Sequence, residues 1–454
     1  MRNPMFVPDE RTTELIFDYC RRRLSQDPVS LDYGGTRDLG SVLEGLLGSE
    51  GHDPAAVLTL FAEHLATAVI SCDSPRFFSF IPAAPTKSSL LFDMVVSCSS
   101  LHGTSWLEAA GAVAAENQAL ALLTRLAGLP AGAGGCFVSG GSLGNLSALV
   151  VARDTAAKRL GRSVDRPRIA VSSETHSSVA NALSIIGVAP FLVPTTDHRL
   201  TGAALRAALD ADPTSDDVVG VVATAGTTNA GIVDELSSVA EVAGERALWC
   251  HVDAAYGGAA LFAPSARHRF RGIELADSFI VDPHKWLFAP FDCAALLYRQ
   301  PELARAVHTQ HASYLDAMHD ETAPGAGVWN PADYAFHLTR RARGLPLWFS
   351  LAVHGTDAYK DAVETVLELT RAVARRIEAA PHLRLVRDPE LSVLLFERDG
   401  WGDEDYRAWS AELLSRQQAF VMPSRWEGRP VARMAFLHPD TTFEMVDDVL
   451  SPMA

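Results

Sequence analysis

The chain contains 454 residues, of which 48% are hydrophobic and 21% charged, and its formal net charge is −16. It is longer than a single ordinary domain and has the composition of a soluble globular enzyme with a large core. The negative charge argues against a nucleic-acid partner, and no apolar run has the length that crosses a bilayer.

Six cysteines are scattered along the chain without a CxxC spacing. This pattern disfavours a zinc knuckle and a disulfide framework, and it favours a reducing compartment. The segment before Arg11 contains Pro4 and Pro8 and lacks the apolar stretch of a signal peptide. We therefore predict a cytoplasmic protein.

Residues 1–75 are predicted to form an N-terminal helical segment. Residues 14–24 and 54–70 place apolar side chains at helical spacing, and Asp53-Pro54 is a typical helix start. The segment cannot fill a core alone, so we expect it to pack on another surface.

Short apolar runs alternate with helical stretches through residues 76–345. This alternation is typical of βαβ units, and it predicts a large α/β domain with a mainly parallel sheet. Helices are predicted from Gly141 to about residue 160, at 179–186 and at 235–242. The predicted strands are residues 136–138, 168–172, 191–193, 218–223, 248–253 and 278–281.

Residues 346–454 are predicted to form a small C-terminal α+β domain. A long helical stretch covers residues 347–380. Strands are predicted at residues 391–396, 419–422 and 431–436.

The turn Ser139-Gly140-Gly141-Ser142 lies between a predicted strand and a helix. Glycines let the backbone approach an anion, the helix N-terminus offers free N–H groups, and the Ser142 hydroxyl is a further donor. The turn lacks the spacing of a dinucleotide fingerprint or a Walker loop, and a tight structural turn is the alternative. It is a candidate phosphate site.

Three later segments carry further polar groups. His176 lies at a strand-to-helix junction, where an imidazole can stack on a cofactor ring or only belong to a capping segment. His251 and Asp253 share a strand face, but no third metal ligand is evident, so a metal site is disfavoured. A carboxylate at Asp253 suits the protonated nitrogen of a pyridine ring, and the small Ala255 leaves room for that ring. Thr228 follows another strand, at the edge where α/β sites assemble.

Lys285 follows an apolar strand, within the sequence Asp282-Pro283-His284-Lys285-Trp286-Leu287. Such a lysine is either a snorkelling side chain or an amine that forms a Schiff base with an aldehyde cofactor. The stretch from Asp253 to Lys285 has room for one helix and one strand, so both side chains can reach one cleft. His284 can reach a phosphate there. Together these groups predict a pyridoxal-phosphate site.

From about residue 73 to its end the chain resembles the group II pyridoxal-phosphate-dependent decarboxylases, which have the fold-type I architecture of aspartate aminotransferase. This family includes aromatic-L-amino-acid, glutamate and diaminobutyrate decarboxylases. The segments that carry the resemblance are residues 74–78, 139–145, 174–178, 225–228, 251–258 and 282–287, and Arg433-Met434 with His438-Pro439.

The resemblance implies that Lys285 forms the Schiff base, that Asp253 contacts the ring nitrogen and that His176 stacks over the ring. It also implies a homodimer with active sites at the interface and the N-terminal helices packed across it. The other contacts that it implies are Gly140, Gly141, Ser142 and His284 at the phosphate, Thr228 at the cofactor's polar edge, and Arg433 at the substrate carboxylate.

Two departures from the family pattern concern the proton donor and the phosphate. Tyr334, on a loop at about residues 316–336, is the candidate donor to Cα, but it is closer in sequence to Arg340 than the family pattern requires. Tyr314 is the alternative donor. Asp282 stands where many members have asparagine, and a carboxylate next to a phosphate is unfavourable unless a donor offsets it.

The substrate pocket departs as well. Phe80, His102 and Thr104 occupy segments that line the side-chain pocket in this family. His102 and Thr104 make it more polar than in the aromatic-specific enzymes, so the sequence does not identify the amino acid.

The predicted function is decarboxylation of an L-amino acid to an amine and carbon dioxide. One alternative keeps the cofactor and changes the outcome to aldehyde synthesis, transamination or other lyase chemistry. Two further alternatives are a nicotinamide-dependent dehydrogenase and a cofactor-binding regulator without turnover. The expected partners are an amino-acid substrate and a second copy of the chain, without nucleic acid or membrane.

Overall fold

The computed structural model describes residues 3–7, 9–26, 31, 37–81, 84–319 and 329–454. Its N-terminal part is helical, as predicted, and each helix is capped by an aspartate side chain. None of these three helices has a fully buried residue, and Phe17 of the first helix and Leu47, between the second and the third, are exposed. The helices are α1 (Glu10–Leu24), α2 (Leu39–Leu43) and α3 (Pro54–Leu60).

A seven-stranded sheet forms the centre of the molecule. Its strands are β1 (Gly134–Val138), β2 (Arg168–Val171), β3 (Ala189–Leu192), β4 (Val218–Thr224), β5 (Trp249–Asp253), β6 (Ser278–Val281) and β7 (Ala294–Tyr298). Their order is β1-β7-β6-β5-β4-β2-β3, and among these strands of the described residues β7 alone runs opposite to the common direction of the others. The mainly parallel sheet confirms the predicted α/β class.

Helices cover the sheet and bury the apolar residues of its central strands. Every residue of β4, β5, β6 and β7 is buried, which is the condition for a parallel sheet packed on both faces. Gly144 brings its helix close to the sheet, because a Cβ there would collide with the Ile280 side chain. The helices are α4 (Lys87–Cys98), α5 (Trp106–Ala127), α6 (Gly141–Leu160), α7 (Ser177–Ile185), α8 (Gly202–Ala211), α9 (Leu236–Glu245), α10 (Pro264–Arg267), α11 (Pro301–His308) and α12 (Asp316–His319).

The C-terminal part contains a second sheet, which is antiparallel. Its elements are α13 (Leu345–Glu378), β8 (Leu383–Leu385), β9 (Val393–Arg398), α14 (Asp403–Ser415), β10 (Ser424–Trp426), β11 (Arg429–Ala435) and α15 (Phe443–Leu450). The strand order is β10-β11-β9-β8. This arrangement agrees with an α+β part, while the boundaries at residues 75 and 345 stay predictions.

None of the described helices combines the length and the apolar character that a membrane crossing requires.

Two elements differ from the sequence prediction. Strand β7 was not predicted, because it returns antiparallel after β6 without the helix that separates parallel strands. The strand predicted at residues 419–422 is wrong: Phe420 makes only an isolated bridge, to Phe77. That segment is apolar because it is buried between other elements, and the neighbouring strand begins at Ser424.

A buried ion pair joins α5 to the segment before α13. The Arg340 and Glu116 side chains are 0% and 2% exposed with 2.8 Å between Nη2 and Oε2, and Glu116 also accepts the Gly344 N–H. We expect Glu116→Gln to lower the free energy of unfolding by about 3–5 kcal/mol, because it leaves a buried guanidinium without its counter-ion. Urea unfolding measures this loss.

The control is Asp447→Asn, which removes the partner of Arg376 in an ion pair whose side chains are 61% and 50% exposed. Because water screens that pair, we expect a loss below about 1 kcal/mol. Equal losses of unfolding free energy in Glu116→Gln and Asp447→Asn would contradict the structural role of the buried pair.

Candidate active site

A cavity of about 300 Å³ lies at the carboxyl edge of the large sheet. Its walls come from the segments that follow β1, β2, β4, β5 and β6, which is where sites assemble in α/β proteins. The residues that line it are Gly140, Gly141, Ser142, Asn145, Glu174, His176, Ser178, Thr224, Gly226, Thr228, Asp253, Ala255, Tyr256, Asp282, His284 and Lys285. Every residue that the sequence proposes as a cofactor contact is in this set.

The N-terminus of α6 forms one wall of the cavity. Its N-cap residue is Gly140, which has no side chain to accept the first N–H groups, and the Gly141 N–H donates to Asp282 Oδ2 at 3.3 Å. A Cβ on Gly141 would lie 2.9 Å from that oxygen and 3.2 Å from Ala255 Cβ, so this close approach requires glycine. The helix dipole and the N–H groups make this wall suitable for an anion.

Lys285 reaches the same wall and contacts Asp282. The distance from Lys285 Nζ to Asp282 Oδ2 is 2.9 Å, and the Asp282 side chain is only 2% exposed. Burial acts against the lysine charge, but the carboxylates of Asp282 and Asp253 outweigh it, so the pKa of Lys285 lies above its usual value. The amine is therefore held in its protonated form by its own surroundings.

His284 stands on the other side of Asp282, with 3.6 Å between Nε2 and Oδ2. Burial lowers the pKa of His284, although Asp282 acts in the opposite direction. Its Nδ1 accepts the Cys293 N–H at 3.0 Å, so the ring proton of the neutral imidazole is on Nε2. His284 thus offers an N–H donor beside the anion site.

Asp253 ends β5 inside the cavity and is 5% exposed. Its Oδ1 accepts the Ala255 N–H at 3.1 Å, and its Oδ2 accepts an N–H of the Asn145 amide at 2.9 Å. Two donors to one buried side chain indicate a carboxylate in a fixed orientation.

His176 is the N-cap residue of α7, so both sequence interpretations of this residue are compatible with its position. Its Nδ1 accepts the Ser178 N–H at 3.2 Å and also lies 2.9 Å from Ser178 Oγ. The bond from the backbone places the ring proton on Nε2.

The structure does not bring the three predicted substrate-pocket residues into this cavity. The Phe80 side chain is 62% exposed, and the exposed His102 lies 2.6 Å from Glu108. Thr104 is buried and donates to the Leu338 carbonyl at 2.9 Å. Their proposed role in substrate binding stays a prediction.

The structure also places Tyr334 away from the cavity. This side chain is 5% exposed and stacks on Trp329 with 4.1 Å between ring centres, so it belongs to the core and not to a mobile loop. Burial raises the pKa of its hydroxyl above the usual range. Tyr314 is 74% exposed and remains the alternative. Residues 320–328 of the predicted loop lie outside the described residues.

Arg433 lies next to the cavity but is not part of its lining. Its Nε and Nη2 atoms donate to the carbonyls of Asn229, Thr228 and Phe80 at 3.3, 2.6 and 2.9 Å. Burial lowers the pKa of Arg433 to about 10, so the guanidinium keeps its charge at neutral pH. The arginine connects β11 to the segment after β4.

The cavity includes lining residues that the sequence did not single out as site residues, among them Asn145 and Glu174. Asn145 follows Gly141 by four residues, so the two lie on one face of α6, and this spacing was the available signal. Glu174 accepts from His198 at 3.0 Å, a contact that no local pattern indicates.

These groups fit pyridoxal phosphate. The amine of Lys285 suits its aldehyde, the Asp253 carboxylate suits its ring nitrogen, and the α6 N-terminus suits its phosphate. Among the described residues no group of three or more His, Cys, Asp or Glu side chains is arranged to hold a metal ion.

Comparison with known proteins gives concordant results. Residues 48–398 match the family model for the pyridoxal-dependent decarboxylase conserved domain. An aromatic-L-amino-acid decarboxylase of Bacillus atrophaeus is 28% identical over 96% of this chain and 91% of its own length. An L-2,4-diaminobutyrate decarboxylase of Rhizobium meliloti is 32% identical over 80% of this chain and 74% of its own. The crystal structure of Oryza sativa TDC with PLP and tryptamine superimposes with a TM-score of 0.86 at 24% identity, over 100% of both chains.

Proposed function

The chain belongs to the pyridoxal-dependent decarboxylase family, and on that premise we propose how its own residues release carbon dioxide from an L-amino acid. It is a fold-type I enzyme that uses pyridoxal phosphate to convert an amino acid into an amine. One observation carries the assignment of roles: Lys285, Asp253 and the N-terminus of α6 line the same cavity.

Three groups of residues are proposed to hold the cofactor. Lys285 binds its aldehyde, and the Asp253 carboxylate accepts a hydrogen bond from its protonated ring nitrogen. The N–H groups that start α6, together with Ser142 and His284, bind the phosphate. His176 covers one face of the ring, and Thr228 meets its polar edge.

When bound, pyridoxal phosphate supplies a protonated pyridine ring that accepts the electron pair left behind as carbon dioxide departs. Asp253 keeps the ring-nitrogen proton in place, because a carboxylate beside it stabilises the positive charge. His176 excludes water from the face that it covers. Tyr314, exposed on this copy, is our candidate to deliver the proton to the substrate Cα in the cavity of a second copy.

Arg433 is proposed to bind the substrate carboxylate. It is charged at neutral pH and adjoins Thr228 in the cavity wall. Among the described residues no acceptor engages its Nη1, which is the atom that we assign to the substrate. Its other two nitrogen atoms fix the guanidinium through backbone carbonyls.

The contact between Lys285 and Asp282 should control cofactor loading. The carboxylate raises the pKa of the amine, and only the neutral amine can attack an aldehyde. We therefore expect Asp282→Asn to lower that pKa, to shift the pH profile of loading to lower pH and to accelerate loading several-fold at neutral pH. The growth of visible absorbance after the cofactor-free protein is mixed with pyridoxal phosphate measures the rate.

Pyridoxal, which lacks the phosphate, separates two consequences of this substitution. The shift of the pH profile should appear with both compounds, because it belongs to the amine. Removal of a carboxylate beside the phosphate should also increase the affinity for the cofactor. This increase should appear only with pyridoxal phosphate. An unchanged pH profile in Asp282→Asn would contradict the proposed control.

A screen of the proteinogenic amino acids and L-2,4-diaminobutyrate tests the proposed function and identifies the substrate. We expect at least one compound to release carbon dioxide and the matching amine in equal amounts. The absence of carbon dioxide from every compound, with cofactor-loaded protein, would contradict it.

Aldehyde synthesis is the second candidate outcome, and the position of Tyr334 keeps it open. With that tyrosine in the core, proton delivery to Cα depends on another residue. If delivery failed, dioxygen and water would convert the substrate to an aldehyde, with carbon dioxide, ammonia and hydrogen peroxide as the other products. If hydrogen peroxide forms in an amount equal to the carbon dioxide released and no amine appears, the reaction is aldehyde synthesis and not simple decarboxylation.

We propose that the enzyme is a homodimer with active sites at the interface. Helices α4, α5 and α13 carry apolar side chains that are at least half exposed in the single chain, namely Leu91, Val95, Leu107 and Val353. The N-terminal helices likewise need a partner surface. We also propose a cytoplasmic location, because the buried thiols Cys136, Cys250 and Cys293 suit a reducing compartment.

A further inference from the structure

A chain of hydrogen-bonded side chains runs from the cavity wall into the interior of the sheet. Trp249 Nε1 donates to Ser278 Oγ at 2.9 Å, and that oxygen lies 2.8 Å from His251 Nδ1. His251 Nε2 lies 2.8 Å from Asn145 Oδ1, and Asn145 Nδ2 lies 2.9 Å from Asp253 Oδ2. All five side chains are buried, none more than 5% exposed. The chain connects the interior of the sheet to the carboxylate in the cavity.

Only one arrangement of hydrogen atoms satisfies every member of this chain. The Asp253 carboxylate only accepts, so Asn145 must turn its NH₂ group toward it and its oxygen toward His251. His251 Nε2 must then carry a proton. Burial lowers the pKa of His251 to about 4, so the ring is neutral and Nδ1 accepts from the Ser278 hydroxyl. The Ser278 oxygen accepts the Trp249 N–H, which can only donate.

Asn145 also connects Asp253 to His176. The second N–H of its amide group reaches Ser178 Oγ at 3.2 Å, and Ser178 donates its hydroxyl to His176 Nδ1 at 2.9 Å. One amide therefore uses both of its donors and its acceptor, each on a different partner. The two groups assigned to the ring nitrogen and to the ring face are held by this single side chain.

We propose that Asn145 is a positioning residue that orients the Asp253 carboxylate toward the cofactor's ring nitrogen, with its own orientation fixed by His251 and Ser278. This inference rests on the proposed contact between Asp253 and that nitrogen. Removing the amide leaves Asp253 Oδ2 without its donor and His251 Nε2 without its acceptor, and both groups are buried. The carboxylate then keeps only the Ala255 N–H as a donor, so it is held less firmly toward the ring.

Two ligands separate this role from a general effect on the site. Pyridoxal phosphate has the ring nitrogen, whereas 1-deazapyridoxal phosphate has a C–H group in its place and cannot use Asp253. We expect the wild type to bind pyridoxal phosphate more tightly than the deaza compound. In Asn145→Ala the dissociation constant for pyridoxal phosphate should rise about tenfold or more, while that for the deaza compound changes little. Equilibrium dialysis measures both constants without turnover.

Ser278→Ala is the second variant, since it alters the chain at a point outside the cavity lining. It removes the donor to His251 Nδ1 and should produce the same ligand-selective loss to a smaller extent. The matched control is Ser147→Ala, also a fully buried serine, on α6 but bonded to Leu143 and Phe336. This control should shift both dissociation constants equally or not at all.

A loss selective for pyridoxal phosphate in Asn145→Ala and Ser278→Ala supports the proposal. The proposal would be overturned if these variants lost affinity equally for both ligands, or if their binding of pyridoxal phosphate were unchanged. Either result would leave the role of Asp253 intact. A wild type that binds the two ligands equally would remove the assigned role of Asp253 and this inference with it.

Discussion

A Lys285→Ala variant is expected to lose the visible absorbance of the bound cofactor and nearly all decarboxylase activity. Among the described residues Lys285 is the only lysine that lines the cavity, and its amine is held beside Asp282 at 2.9 Å. Without it, the cavity has no lysine amine to bind the aldehyde and then to exchange with the substrate amine. We expect the rate to fall by roughly 10²- to 10⁴-fold, the range for the loss of a positioned acid or base.

Lys285→Arg is the matched control for this prediction. Arginine keeps a positive charge beside Asp282, so the ion pair and the fold should persist, but a guanidinium does not condense with an aldehyde. We expect this variant to unfold at the same urea concentration as the wild type and to remain colourless. Retention of the absorbance band in either variant would remove Lys285 from its assigned role.

Asp253→Asn is expected to lower the decarboxylation rate by about 10²- to 10³-fold while cofactor remains bound. An amide is uncharged, so it does not hold the proton of the ring nitrogen, and the ring then stabilises the departing electron pair poorly. The rate at saturating substrate measures the effect. Because Lys285 is intact, the visible band should survive, although its pH dependence should change.

Asp277→Asn serves as the control for this second prediction. Asp277 precedes β6 at the opposite edge of the sheet, where it pairs with Arg159 and accepts the Cys250 N–H. It is a partly buried carboxylate without access to the cavity. We expect reduced stability and a nearly unchanged rate per folded molecule. A similar fall in rate for both variants would contradict a special role for Asp253.

The sequence was most informative where local pattern and chemistry coincide. Lys285, Asp253 and the Gly140-Gly141 turn each follow an apolar run, and parallel strands deliver their following residues to one edge of the sheet. The chain order of strands and turns was therefore enough to predict that these groups meet. The α/β class followed from the same alternation.

The remaining features depend on contacts between residues that are far apart in the chain. Asn145 and His251 are separated by 106 positions, and they meet only because α6 packs over β5. Tyr334 lies in a segment whose spacing suggested a mobile loop, yet its ring stacks on Trp329. Phe80, His102 and Thr104 lie outside the cavity lining of the single chain. No pattern within one chain encodes these arrangements.

Borohydride reduction followed by peptide mass mapping identifies the lysine that binds the cofactor aldehyde. The chain has four lysines, Lys87, Lys158, Lys285 and Lys360, so the attachment point is unambiguous. We predict that reduction of the cofactor-loaded protein adds one phosphopyridoxyl group, and that the group is on the peptide containing Lys285. An unmodified Lys285 peptide, or the group on any other lysine, would contradict the account.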